Sequence, residues 1–225
     1  MTTIFSGSAV LRTIDDLRGP AGKLEAILNA GARDAPYTAL VCHPHPLGGG
    51  TMHNKVVYHT MKTLQSFGLP VLRFNFRGTG LSEGEHDGHD EIADVRAAVD
   101  WLEHEFRLPI LFAGFSFGAA MGLRACCGDE GVKGLIGLGL PVHAEGRDYE
   151  YRFLSSCPQP KLFISGARDQ YGPKAKVEAV FGAAKQPAEL VWIDDADHFF
   201  AGKLEQVQLA IRNWVQANFL PASAS

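Results

Sequence analysis

Residues 114–118 read Gly-Phe-Ser-Phe-Gly, and a hydroxyl placed this way raises the question of a nucleophile. The apolar run "LPILFAGFS" predicts a buried strand, and the small residues after Ser116 predict a tightly packed helix. Ser116 then stands at the apex of a strand-to-helix turn, which strains its backbone and holds the hydroxyl clear of a sheet. Gly114 and Gly118 give the space where strand and helix crowd together. The plainer reading is a serine that only caps the helix. A serine hydroxyl is a weak nucleophile at neutral pH. It needs an imidazole to take its proton and a carboxylate to fix the imidazole tautomer. Asp169, closing "KLFISGARD", and His198, in "DDADHFF", are of the required types. Singly, Asp169 reads as a cap for a helix beginning near Pro173, and His198 as a structural histidine. Together, Ser116, Asp169 and His198 fall in a known order of nucleophile, acid and base. Asp194, Asp195 and Asp197 are rival acids, but they stand too near His198 in sequence to reach its far nitrogen easily.

A second stretch, "CHPHPLGGGTM" (42–52), clusters histidines before a glycine run. His43, His45, His53 and His59 invite a metal reading, yet their spacing matches no familiar ligand pair, and no metal is expected. The prolines stiffen the loop and the glycines let backbone approach a substrate, as in a loop that stabilises an oxyanion. Its expected donors are the backbone N–H groups of Phe117 and Leu47, with His45 and Gly48 shaping the loop. Leu47, Met52, Phe115, Tyr171, Phe199 and Phe200 are candidates for an acyl pocket, or equally for the core. Arg77 would hold a substrate carboxylate or brace its loop by a salt bridge. The acid-rich "SEGEHDGHDEIAD" (82–94) lacks calcium-loop spacing and is expected to be solvated, its carboxylates favouring the next helix N-terminus.

These groups need elements to position them. Strand-like runs at "KLEAILN", "YTALVCHPH", "PVLRFNFRG", "LPILFAGFS", "VKGLIGLGLPV", "PKLFISGARD" and "ELVWIDDAD" alternate with helical patterns such as "NKVVYHTMKTLQSFG", "DEIADVRAAVDWLEHEF" and "KLEQVQLAIRNWVQANF". That alternation predicts an α/β fold with a mostly parallel sheet and helices on both faces. The candidate groups all fall at the carboxyl ends of strands, where such sheets bind ligands. The 225 residues are expected to form one domain, with 1–21 contributing at most an edge strand ("IFSGSAVL") and 220–225 a tail. With 46% hydrophobic and 20% charged residues the chain can bury a substantial core. A net charge of −4 without basic clusters argues against nucleic-acid or anionic-membrane partners. The N-terminus lacks a signal-peptide pattern and no run is long enough to span a bilayer. Cys42, Cys126, Cys127 and Cys157 show no ligand or disulfide spacing, and read as reduced thiols of a cytoplasmic protein.

The "HPHPLGGG" loop, the "RFNFRGTGLSEG" turn and the "GFSFG" elbow, in this order, resemble small bacterial serine hydrolases of the α/β-hydrolase superfamily, from about Gly22 to Phe219. The resemblance implies Ser116 as nucleophile, Asp169 as acid and His198 as base. The group is also similar to dienelactone hydrolases, which use cysteine where this chain has Ser116; that departure favours carboxylic esters over lactones. Lipases of the superfamily carry a lid after the sixth strand. Here 143–160, "HAEGRDYEYRFLSSCPQP", allows only a loop or short helix. The expectation is a cofactor-free serine carboxylesterase, monomer or homodimer, acting on small short-chain esters through an acyl-serine. Thioester, amide or peptide hydrolysis and acyl transfer are alternatives on the same triad, and a binding module without turnover is an alternative of another class.

Overall fold

The structure is a computed structural model and describes residues 10–144 and 147–220. Eight strands form one sheet: β1 (Leu11–Ile14), β2 (Ala26–Asn29), β3 (Thr38–Cys42), β4 (Val71–Phe74), β5 (Ile110–Phe115), β6 (Val132–Leu138), β7 (Lys161–Gly166) and β8 (Ala188–Ile193). Their spatial order is β1-β2-β4-β3-β5-β6-β7-β8. The first two strands pair antiparallel, as do β2 and β4; every other pairing is parallel. Five helices connect and cover them: α1 (Lys55–Gln65), α2 (Glu91–Phe106), α3 (Phe117–Cys126), α4 (Lys174–Ala183) and α5 (Leu204–Phe219). The sheet is therefore mostly parallel with helices on both faces, as the alternating pattern predicts. Of the N-terminal run "IFSGSAVL", residues 4–9 lie outside the described residues; Leu11–Ile14 continues it as an edge strand. The tail residues 221–225 also lie outside them.

Two apolar layers sandwich the sheet, and β5 shows why. Successive side chains point to opposite faces of a strand. Ile110 and Phe112 join the layer under α2 and α3, with Leu40, Leu72, Val95 and Leu102. Leu111, Ala113 and Phe115 join the layer under α1 and α5, with Val57, Leu64, Ile211 and Trp214. Both faces of β5 are thus buried, which explains its unbroken apolar sequence. Among the described residues, no helix is long and apolar enough to cross a membrane.

The acid-rich stretch departs from expectation. Glu91 and Asp94 have no solvent exposure. Glu91 Oε1 accepts the N–H groups of Asp87 and Gly88 at 3.1 and 3.2 Å, so it closes the turn that starts α2. Asp94 receives the Arg77 guanidinium at 2.8 and 3.1 Å and the Arg77 backbone N–H at 3.0 Å. Of the two readings of Arg77, the structure has the brace: a buried bidentate ion pair ties the "RGTG" loop to α2. A solvated loop is therefore corrected to one anchored by two buried carboxylates, because a helix N-terminus and a guanidinium both stabilise carboxylates away from water.

Candidate active site

Ser116 lies between β5 and α3 with φ 54° and ψ −120°, a positive φ that a residue with a Cβ rarely adopts. Its N–H donates to Leu138 O at 2.9 Å, which ties the turn to the end of β6. A Cβ on Gly114 would stand 2.5 Å from the Gly118 carbonyl oxygen, and one on Gly118 would collide with the backbone of Cys42 and His43. Both glycines are required by close backbone approach. The hydroxyl is held against α3 in this way and does not cap the helix.

The two other residues come from neighbouring strands. Asp169 follows β7 in a turn that its own side chain orders: Oδ1 accepts the N–H groups of Tyr171 and Gly172 at 2.8 and 3.1 Å. Its other oxygen, Oδ2, lies 2.8 Å from His198 Nδ1, and His198 Nε2 lies 2.9 Å from Ser116 Oγ. With Nδ1–H donating to the carboxylate, Nε2 is left to accept from the hydroxyl. All three residues are buried, at 8%, 5% and 3% exposure for Ser116, Asp169 and His198. His198 is walled by rings: Tyr171 at 4.7 Å, Phe115 at 5.1 Å and Phe199 at 5.2 Å between centroids. The rival acids Asp195 and Asp197 are engaged elsewhere. Asp195 pairs with Arg168, and Asp197 Oδ1 accepts from the N–H groups of Phe199 and Ala201.

The glycine loop after β3 forms a short 3-10 turn, Pro46–Gly48, ended by Gly49 with φ 76°. His45 caps it: Nδ1 accepts the Leu47 N–H at 3.1 Å. The His45 ring packs on Phe117 at 4.9 Å and on His86 at 4.7 Å, and His86 Nδ1 in turn lies 2.5 Å from Glu91 Oε1. His45 thus holds the loop through its ring and its cap. The Leu47 amide, expected as an oxyanion donor, is held by that cap in this structure. Phe117 opens α3, where the first N–H groups have no partner within the helix.

His43 uses both ring nitrogens on backbone: Nδ1 lies 2.6 Å from Pro44 O, and Nε2 accepts the Phe76 N–H at 3.0 Å. Burial lowers its pKa from the ordinary 6.5 to about 4, against the opposing pull of the Pro44 carbonyl. The unfolded chain therefore takes up this proton first as pH falls. Stability present above pH 6.5 is lost progressively down to about pH 4, by on the order of 3 kcal/mol. Urea midpoints measured across that range should fall accordingly. A His43 imidazole resonance that titrates near 6.5 in the folded protein would contradict it.

A cavity of about 340 Å³ opens onto Ser116 and His198. Leu47, Gly48, Tyr171 and Phe199 line it. Met52 and Phe115 do not and are corrected to core. Phe115 is fully buried on the α1/α5 face of β5, and Met52 is pinned by its own backbone, which donates to Asn75 and accepts from Arg73. Phe200 is also fully buried. Three lining residues carry no signal in the sequence: Asn54, Pro141 and Tyr149. The segment expected to replace a lid consists of a two-residue ribbon (His143–Ala144 with Arg147–Asp148) and the 3-10 turn Arg152–Ser155. Tyr149 comes from this segment. The four cysteines are free thiols away from the cavity lining.

With this geometry in view, the chain compares closely with known proteins. Residues 38–218 match the family model of an alpha/beta hydrolase domain. A protein of Rickettsia prowazekii (strain Madrid E), itself uncharacterized, is 35% identical over 213 residues, 89% of each chain. An alpha-beta serine hydrolase homologue from Coxiella burnetii is 36% identical with a TM-score of 0.78, over 94% of this chain and 99% of that one. A serine hydrolase without a lid from Xanthomonas campestris is 34% identical with a TM-score of 0.83, over 99% of this chain and 100% of that one.

Proposed function

The chain belongs to the alpha/beta hydrolase family, and from that premise we propose that it is a serine carboxylesterase acting on small carboxylic esters. The observation that carries this reading is the unbroken hydrogen-bonded line from Asp169 through His198 to Ser116, at 2.8 and 2.9 Å. In the proposed reaction Ser116 Oγ attacks the ester carbonyl while His198 Nε2 takes its proton. Asp169 holds Nδ1–H and stabilises the imidazolium. The tetrahedral oxyanion accepts from the Phe117 N–H. The second donor is the Leu47 N–H, which leaves His45 Nδ1 because a bond to a developing anion is roughly twice as strong as one to a neutral nitrogen. His198 then protonates the departing alcohol, leaving an acyl-Ser116. A water, deprotonated by the same imidazole, hydrolyses that intermediate and returns the free serine.

No cofactor enters this scheme. The test is pre-steady-state hydrolysis of a short-chain 4-nitrophenyl ester. A burst of one nitrophenolate per chain, with the acyl group recovered on Ser116 by mass spectrometry, is the expected result. Turnover without acylation of Ser116, or no turnover of carboxylic esters beside rapid cleavage of a thioester or amide, would overturn the reading.

A further inference from the structure

The cavity also carries information on what it receives. Its lining holds apolar and neutral polar groups, with no Asp, Glu, Lys or Arg among the described residues that form it. No charged side chain of that lining would pair with a carboxylate or ammonium held against it, and Lys55 borders only the neighbouring depression. Its aromatic lining residues, besides the imidazoles of His45 and His198, are Tyr149, Tyr171 and Phe199, and Pro141 lines it as well. The backbone of two of these residues is tied down before any substrate arrives. The Tyr151 hydroxyl donates to Pro141 O at 2.7 Å, and Tyr171 O accepts the N–H groups of Val142 and His143 at 2.9 and 3.1 Å. The Tyr171 ring stands edge-on to His198. Aromatic rings receive a planar apolar group by offset or edge-on packing.

Asn54 adds a directional polar group. As the N-cap of α1 its Oδ1 accepts the Val56 N–H at 2.9 Å, which fixes the amide's orientation. The amide nitrogen Nδ2 makes no hydrogen bond to any described residue, and its two N–H donors remain available at the cavity edge. Asn54 and Phe199 also border a neighbouring depression lined by Thr51, His53 and Lys55, so this donor lies at the outer limit of the Ser116 cavity. At about 340 Å³, that cavity is at the small end for small-molecule sites.

Resting on the esterase reading above, we infer that the substrate is an uncharged ester with a planar apolar group and, at its far edge, a hydrogen-bond acceptor received by Asn54 Nδ2. The acceptor selects the substrate and the aromatic lining orients it. Neither takes part in bond breaking, so Asn54 is a specificity residue.

The experiment compares kcat/KM for five methyl esters of similar intrinsic reactivity: cyclohexylacetate, phenylacetate, 4-methoxyphenylacetate, 4-carboxyphenylacetate and 4-(trimethylammonio)phenylacetate. Wild-type protein is measured beside Asn54→Ser and Asn54→Asp, which both keep a capping oxygen for Val56 and lack the amide donor. In wild type the methoxy ester should lead, phenyl should exceed cyclohexyl, and both charged esters should fall at least about tenfold below phenyl. In both variants the methoxy-to-phenyl ratio should drop by about tenfold, the size expected for one lost neutral hydrogen bond. Ratios within one variant cancel any loss of folded protein. A methoxy-to-phenyl ratio equal in wild type and variants overturns the assignment of Asn54. Preference for the cationic ester, which aromatic rings can also receive, overturns the uncharged class. No turnover of any ester, with no acylation of Ser116, defeats the esterase reading itself and this inference with it.

Discussion

Ser116→Ala should lower kcat/KM for ester hydrolysis by about 10⁶-fold, with the remaining rate supplied by binding and the oxyanion donors. Among the described residues the side chain's one hydrogen bond is to His198 Nε2, so its loss removes the nucleophile and little else. The backbone of the elbow is held by separate bonds, from Ser116 N–H to Leu138 O and from the N–H groups of Ala119 and Ala120 to Ser116 O. Alanine keeps the Cβ and therefore the same positive-φ strain, so stability should change little. His198→Ala should cost a similar factor, and the double variant no more than either single one, because residues that act as one unit are not additive. Steady-state rates on one ester for the three variants decide this. A double variant slower than both singles by the product of their losses would mean that Ser116 and His198 do not act as a unit.

Asp169→Asn should lower the rate by about 10⁴-fold with the fold retained. The local geometry decides which way the new amide faces. Oδ1 accepts two backbone N–H groups, from Tyr171 and Gly172, and an amide NH₂ cannot replace it there. The carbonyl oxygen of the introduced amide must keep that place, which turns its NH₂ toward His198 Nδ1. A donor facing Nδ1 forces the proton onto Nε2, where it blocks acceptance from Ser116. Titration of the rate for wild type and variant on the same ester, with thermal unfolding as control, tests this. A variant within tenfold of wild type would show that His198 keeps its tautomer without the carboxylate.

The order of strands and helices was legible because the strand runs are predominantly apolar and each ends in a glycine, proline or charged turn. The line of Ser116, Asp169 and His198 was legible because each falls within five residues of the carboxyl end of one of the sheet's parallel strands, so chain order maps onto one edge of it. The cavity wall was harder to read. Phe115 sits next to the nucleophile in sequence, yet the two-residue period of β5 sends it to the opposite layer with Leu111 and Ala113. From there its ring packs behind His198 at 5.1 Å and does not line the cavity. Asn54 and Tyr149 carried no such signal, because the cavity joins a helix cap to the segment after β6, far apart along the chain. Composition likewise could not separate Glu91 and Asp94 from their exposed acidic neighbours. Their burial depends on Arg77 and on backbone N–H groups that only the folded loop brings within reach. The Leu47 amide belongs to the same class, since its capping by His45 follows from the 3-10 geometry of the loop.

The most direct measurement of an activated Ser116 is the intact mass of the protein after brief exposure to a fluorophosphonate, with Ser116→Ala and His198→Ala treated beside it. One adduct per chain on the wild type, mapped to Ser116, absent from Ser116→Ala and formed far more slowly on His198→Ala, is the expected result. A folded wild-type protein that takes up no adduct, or takes it up equally well without His198, would contradict the claim that this imidazole arms this serine.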